Sequence, residues 1–361
     1  MSLEIKNLVR PHLLGLKPYS SARSEYSGEG ILLDANENAL GSVCGGNYNR
    51  YPDPLQKELK AKIIHWLNPE LSIDNVFCGN GSDEIIDLLV KAFCRPGEDE
   101  IMVFPPVFGM YEKCAQINDV GIHAINLTEE FQLDIPAIKE QINDRTKIIF
   151  ICSPNNPSGN LIHSEDIKIV LDSFQGLLVI DEAYIGFSNT RSWVDQFQKY
   201  PNLVILRTFS KAWGMAALRL GIGIGNTEVI EVLNTIKMPY NINSNTIYFV
   251  SKALDRPDIF KDFVDRIKAE RAMLEQQISW LEITKKVYPS EGNYLLIKFV
   301  NSLELYGFLK KKGLIVRDRN GQPHCNGCLR ITVGSPEENK ILLEALRDYE
   351  KLFIDSKPPK E

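Results

Sequence analysis

The sequence predicts an α/β fold: a large domain on a mainly parallel sheet covered by helices, followed by a smaller α+β domain. Three observations carry this. "KIIFICS", "GLLVID" and "NLVILRT" are uniformly apolar runs of strand length bounded by turn residues, as expected of strands buried on both faces. Strand and helix signals alternate from about residue 54 to residue 225. Past about residue 257 the chain turns to long charged amphipathic stretches between short apolar ones.

In chain order, "PLQKELKAKIIHWL" has Pro54 at a permitted first-turn position and apolar residues at helical spacing, predicting a helix from Pro54. "NVFCG" reads as a strand, "NGSD" as a turn and "EIIDLLVKAFC" as a helix. "EIMVF" is the next strand, followed by Pro105-Pro106 and the helical "GMYEKCAQI". The three apolar runs come next, and "GIGIG" completes the series. The long helix "DIFKDFVDRIKAERAMLEQQISWL" then leads into "NYLLIKF", "GLIVRD" and "CLRITV". The expected organisation is an amino-terminal arm (1–30), a large domain (31–256), a small domain (257–354) and a polar tail (355–361).

The net charge of −6, from 47 acidic and 41 basic residues, argues against a nucleic-acid binder. No run approaches the roughly 18 apolar residues of a membrane span. "MSLEIKNLVRPHLLG" lacks the uninterrupted apolar centre of a secretory signal, so a cytoplasmic protein is expected. Seven scattered cysteines then read as reduced thiols. "CNGC" (Cys325 to Cys328) has no second pair to complete a zinc ribbon, so no metal is expected. His12, His65, His123, His163 and His324 read as solvated or structural.

In an open α/β sheet, ligands bind outside the carboxyl ends of the strands. Four clusters follow the apolar runs there: Gly79–Glu84, Ser153–Gly159, Asp181–Tyr184 and Thr208–Lys211. Singly, each has a plain structural explanation. "GNGSDE" suits a strand-to-helix turn, "SPNNPSG" a loop, "DEAY" a capping site, and a lysine at a strand end is usually solvated. Together they match one ligand. A phosphorylated pyridine aldehyde needs a lysine for its carbonyl and an acid for its ring nitrogen. It also needs donors for its ring hydroxyl, and amides, hydroxyls and an arginine for its phosphate. Lys211, Asp181, Asn156 with Tyr184, and Ser82-Asp83 with Thr208, Ser210 and Arg219 fit those parts in order.

"SPNNPSG", "DEAY", "SKAWGMAALRLG" and "LRITVG" resemble the fold-type I pyridoxal-phosphate aminotransferases, over nearly the whole chain. "LKPYSSAR", "LLDANENALG", "NRYPDP", "PPVFGMY" and "GCLRITVG" resemble, more narrowly, the histidinol-phosphate aminotransferases among them. The resemblance implies a large domain with a mainly parallel sheet of the seven-stranded type. It implies pyridoxal 5′-phosphate as cofactor and transamination of L-histidinol phosphate with 2-oxoglutarate. Lys211 matches the cofactor-linked lysine that also moves the proton, Asp181 the acid at the ring nitrogen, and Asn156 and Tyr184 the partners of the ring oxygen. Tyr51 matches a tyrosine that reaches the neighbouring subunit's cofactor phosphate, which implies a homodimer with shared sites. Arg330 matches the arginine for the substrate's anionic group, with Arg317 and Tyr19 as helpers.

Three positions depart from the family pattern. Phe108 stands where tyrosine is common, keeping a stacking ring without its hydroxyl; Ser158 replaces a frequent threonine. Ala217 stands where glycine is common, so the backbone there must accept a Cβ. Alternatives on the same scaffold are an aromatic aminotransferase, a decarboxylase of a phosphorylated amino acid and, remotely, a non-catalytic sensor.

Overall fold

The computed structural model of the protein describes residues 4–18 and 30–355. The larger sheet contains β1 (Val76–Asn80), β2 (Glu100–Val103), β3 (Gly121–Ala124), β4 (Thr146–Cys152), β5 (Leu177–Asp181), β6 (Leu203–Thr208) and β7 (Leu220–Gly225). Their order is β1-β7-β6-β5-β4-β2-β3. Neighbours from β3 to β6 pair in parallel, whereas β7 runs against both β6 and β1. That reversal brings the start of β7 to the edge where the other strands end. Thr208 pairs with Gly221, and Asn80 with Leu220.

Both faces of this sheet are covered, which is why its strands read as unbroken apolar runs. Along β4, Ile149 and Ile151 enter one core with Ile205 and Ile224, while Phe150 enters the other with Val179 and Val204. The covering helices are α1 (Lys57–Leu67), α2 (Ser82–Phe93), α3 (Met110–Ile117), α4 (Ile135–Gln141), α5 (Ser164–Ser173), α6 (Thr227–Ile236) and α7 (Ser244–Leu254). Helix α1 begins at Lys57 rather than at Pro54. Asp53 accepts the N–H of Leu55 at 2.9 Å and of Lys57 at 2.7 Å, and Gln56 takes a left-handed conformation at φ 49°. Pro54 therefore sits in the entering turn. Ile5 and Val9 of the amino-terminal segment are buried in the second core, and the Arg10 N–H donates to the Ala92 carbonyl at 3.0 Å.

The rest of the chain begins with α8 (Pro257–Ser279) and forms an antiparallel sheet in the order β10-β11-β9-β8. Its strands are β8 (Thr284–Val287), β9 (Tyr294–Phe299), β10 (Arg317–Asp318) and β11 (Cys328–Thr332). With α9 (Ser302–Lys311) and α10 (Pro336–Asp355) it encloses a third core containing Leu274, Ile297, Leu329 and Leu346. "GLIVRD" is mostly not strand, because only Arg317 and Asp318 pair with β11. Among the described residues, no helix is long and apolar enough to cross a membrane.

Gly221 allows the strand edge to close on α2. A Cβ at this position would stand 2.2 Å from the Ser82 nitrogen and 2.4 Å from the Gly81 carbonyl carbon. Gly221→Ala is expected to lower stability by about 1–3 kcal/mol, measured by urea unfolding, because the start of α2 must move. An unchanged midpoint would contradict this packing.

Candidate active site

The sheet edge holds a cavity of 140 Å³ that gathers side chains from five strand ends. Asp181, the last residue of β5, lies at its floor. Its carboxylate accepts the Tyr111 hydroxyl proton at 2.7 Å and the Ala183 N–H at 3.0 Å. Tyr111 is fully buried and stacks on Phe150 with centroids 4.8 Å apart. No lysine or arginine lies within 4.0 Å of Asp181 among the described residues. Desolvation dominates and raises its pKa to about 6, although both hydrogen bonds act in the opposite direction. Asp181 is thus a buried carboxyl held by neutral donors, with Lys211 acting on it from beyond contact distance.

Lys211 follows β6 and projects its amine into the cavity, 5.7 Å above the Tyr184 ring. The residue as a whole is exposed, but protein atoms crowd its amine. That desolvation, followed by the charge of Arg330, pushes its pKa down and favours a nucleophilic free amine. Asn156 and Tyr184 are buried on the opposite wall, where the Asn156 amide approaches the Tyr184 hydroxyl at 3.5 Å. Burial also pushes the Tyr184 phenol up. Phe108 contributes an edge-on aromatic wall, with its centroid 5.7 Å from that of Tyr111.

At the far end, α2 begins with Ser82 and Asp83. Gly81 precedes it at φ 79° without a side-chain cap, so the first-turn N–H groups remain available to an anion. A Cβ on Gly81 would meet the Arg219 guanidinium at 2.5 Å. Arg219 pairs with Asp83 at 3.3 Å and enters from the start of β7, completing the seat with Thr208 and Ser210. Arg219 is left-handed at φ 53°. Ala217 lies in a short 3-10 turn and is not among the positive-φ residues, so its Cβ is accommodated.

The smaller sheet supplies Arg330 from β11. Its Nη1 donates to the Asn156 side-chain oxygen at 2.5 Å, and its guanidinium lies 5.3 Å above the Tyr294 ring. Arg317 faces Arg330 across the β10–β11 pair and is exposed. Tyr51 lies apart from the cavity. It stacks on Tyr240 at 4.5 Å in an open cleft of about 1090 Å³ bounded by segments 34–52 and 239–245. That larger cleft gathers neither Lys211 nor Asp181, so the chemistry belongs to the smaller cavity. Tyr19 lies outside the described residues.

Two residues at the site went unread in the sequence. Tyr111 looked like an apolar residue of a helix face, and only its distance from Asp181 reveals the contact. Arg319 sat in "RDRNG" as loop charge, yet its charge is felt at Tyr184 and Tyr294. Its two-residue spacing from Arg317 was the available signal.

The aminotransferase class I and II family matches residues 25–346. A protein of Cytophaga hutchinsonii named histidinol-phosphate aminotransferase is 47% identical over 350 residues, spanning 97% of this chain and 100% of that one. One of the same name from Christiangramia forsetii is 44% identical, spanning 96% and 98%. The crystal structure of the histidinol-phosphate aminotransferase from Clostridium acetobutylicum superposes with a TM-score of 0.78 at 26% identity, covering 85% of this chain and 92% of that one.

Asp181 makes stability pH-dependent when no cofactor is bound. The native carboxyl keeps its proton up to about pH 6, whereas the unfolded one loses it near 3.8. The native state therefore binds more protons in that window, and stability falls across it by about 3 kcal/mol as pH rises. Asp181→Asn removes this loss. Urea unfolding of the cofactor-free protein should show the variant gaining on wild type from about pH 4 to 7; parallel curves would exclude a buried, titrating Asp181. Tyr111→Phe should extend the falling window to higher pH, because it removes a hydrogen bond to the ionised form.

Proposed function

The chain belongs to the aminotransferase class I and II family, and from that premise we propose that it transfers the amino group of L-histidinol phosphate to 2-oxoglutarate. The products are imidazole-acetol phosphate and L-glutamate, a step of histidine biosynthesis. The observation carrying this reading is the convergence of Lys211, the buried Asp181 and an uncapped helix start around one cavity, with Arg330 at its mouth. The narrower substrate assignment is supported by full-length relatives of that name at 44% and 47% identity.

The residues fit pyridoxal 5′-phosphate. Asp181 needs a buried cation, which a protonated pyridine nitrogen provides; the α2 start, Arg219, Thr208 and Ser210 form an anion seat. When bound, this cofactor supplies a carbonyl that captures amino groups and a ring that takes up the electrons released at the substrate carbon. Lys211 would hold the carbonyl end, and its free amine is the base placed to move the proton of the substrate's amine-bearing carbon. Asp181 keeps a proton on the ring nitrogen. Asn156 and Tyr184 would hold the ring oxygen, and Phe108 would supply an aromatic wall for the ring. Asp83 contributes its backbone amide, since its carboxylate is held by Arg219. Arg330, with Arg317, holds the substrate's anionic group, and the guanidinium fork suits both a phosphate and a carboxylate.

The active unit in this reading is a cytoplasmic homodimer. Tyr51 is half-exposed and lies outside its own chain's cavity, consistent with service to a partner's cofactor phosphate. The large, PLP-binding domain spans 31–256 and the small domain 257–354.

The deciding experiment is an absorbance titration of the holoenzyme with L-histidinol phosphate and no keto acid. The cofactor band should shift, and 2-oxoglutarate should restore it. A band that ignores histidinol phosphate but responds to phenylalanine or glutamate would overturn the substrate assignment. Lys211→Ala should lower turnover by about 10³-fold or more. Mixing Lys211→Ala with Tyr51→Phe should restore activity through the one intact site of the mixed dimer; no recovery would rule out shared sites.

A further inference from the structure

Arg317, Arg319 and Arg330 gather where β10 and β11 of the small sheet pair. Arg317 pairs with Arg330 across β10–β11, and one more register step brings the Arg319 N–H to the Cys328 carbonyl at 3.0 Å. Arg319 stands one residue past the end of β10, and the charges of Arg330 and Arg317 both act on it, so the three guanidiniums are neighbours. Among the described residues, none of the three comes within 4.0 Å of a carboxylate. Arg207, by contrast, is paired with Glu182. The Nε groups of Arg319 and Arg330 are buried without a partner. Burial and the charges of Arg330 and Arg317 pull the Arg319 pKa down to about 10, a like-charge crowding that an anion would relieve.

The turn carrying Arg319 is held internally. The Gln322 N–H donates to the Arg319 carbonyl at 3.0 Å, and the Gly327 N–H to the Asn320 side chain at 2.7 Å. The Cys328 N–H donates to the Cys325 carbonyl at 2.9 Å. Arg319 is therefore presented on a braced hairpin beside the tyrosines that flank the site.

We propose that Arg319 is a third substrate-binding arginine, which makes this subsite prefer the dianion of a phosphate monoester over a carboxylate. This rests on the reading of the chain as acting on a phosphorylated amine. Arg317 and Arg330 already offer the two oxygens of a 2-oxoglutarate carboxylate more donors than they need, and their two positive charges exceed its single negative one, so a third guanidinium gains little there. A phosphate monoester brings close to two negative charges and three acceptor oxygens, enough to engage a third guanidinium.

The test compares wild type with Arg319→Gln and Arg319→Lys as holoenzymes, whose cofactor-phosphate seat is filled. Arg319→Gln should raise KM for L-histidinol phosphate by about 10- to 100-fold, the effect of losing a charged hydrogen bond. KM for 2-oxoglutarate and kcat should change much less, and Arg319→Lys should recover part of the loss. Calorimetric titration with inorganic phosphate reads the subsite whatever the substrate. Affinity should strengthen in wild type as pH rises through phosphate's second ionisation, and this dependence should flatten in Arg319→Gln. Equal KM changes for both substrates, or a pH profile identical to wild type, would overturn the role of Arg319. Wild type that binds phosphate in this way but does not turn over histidinol phosphate would overturn the substrate reading and leave the dianion preference standing.

Discussion

The buried carboxyl of Asp181 is the constraint around which the site is built. An acid at the end of a central strand, covered on both faces, is costly to ionise, and its hydrogen-bond partners among the described residues are Tyr111 and a backbone amide. In the proposed reading, a cation bound at the site offsets that cost. Lys211 lies near enough to favour the charged form, but its effect is smaller than those of desolvation and the two hydrogen bonds. A neutral or weakly basic ligand would leave that cost standing, whereas a protonated ring nitrogen would remove it.

The second organising feature is the reversed strand. With β7 antiparallel to its neighbours, a short connection from Thr208 returns the chain to the same edge at Arg219. Lysine and arginine, eight positions apart in sequence, can thereby reach different parts of one small cavity. Gly81 and Gly221 allow the approach of helix and strand that this requires. The hydrogen bond from Arg330 to Asn156 then ties the small sheet to the large one at the site itself. A change in substrate charge at the arginines is consequently adjacent to the residue proposed to hold the ring oxygen.

Much of this was legible because burial on both faces leaves a strong imprint. The runs that became β4, β5 and β6 had no polar side to dilute them, and their ends marked the candidate site. Other features left weaker traces. β3 is only part-buried to exposed, and β8 carries two lysines in four residues, so neither reads as an apolar run. The start of α1 depended on Asp53 and the left-handed Gln56, a local competition that the proline signal could not resolve. Tyr111 is one aromatic in an amphipathic helix, and nothing in its spacing points to an acid 70 residues away.

By itself, the sequence determined the layered α/β architecture, the order of its strand ends and the residue types available there. These follow from local periodicity and from which segments must leave water. Only the tertiary structure decided which groups meet: that Tyr111 bonds Asp181, that Tyr51 lies outside its own chain's cavity, and that three arginines gather with no carboxylate within 4.0 Å among the described residues. Those outcomes depend on strand direction, register and close approach between distant segments, which no one-dimensional pattern carries. The chemistry of each side chain was present in the sequence; its partner was chosen by the fold.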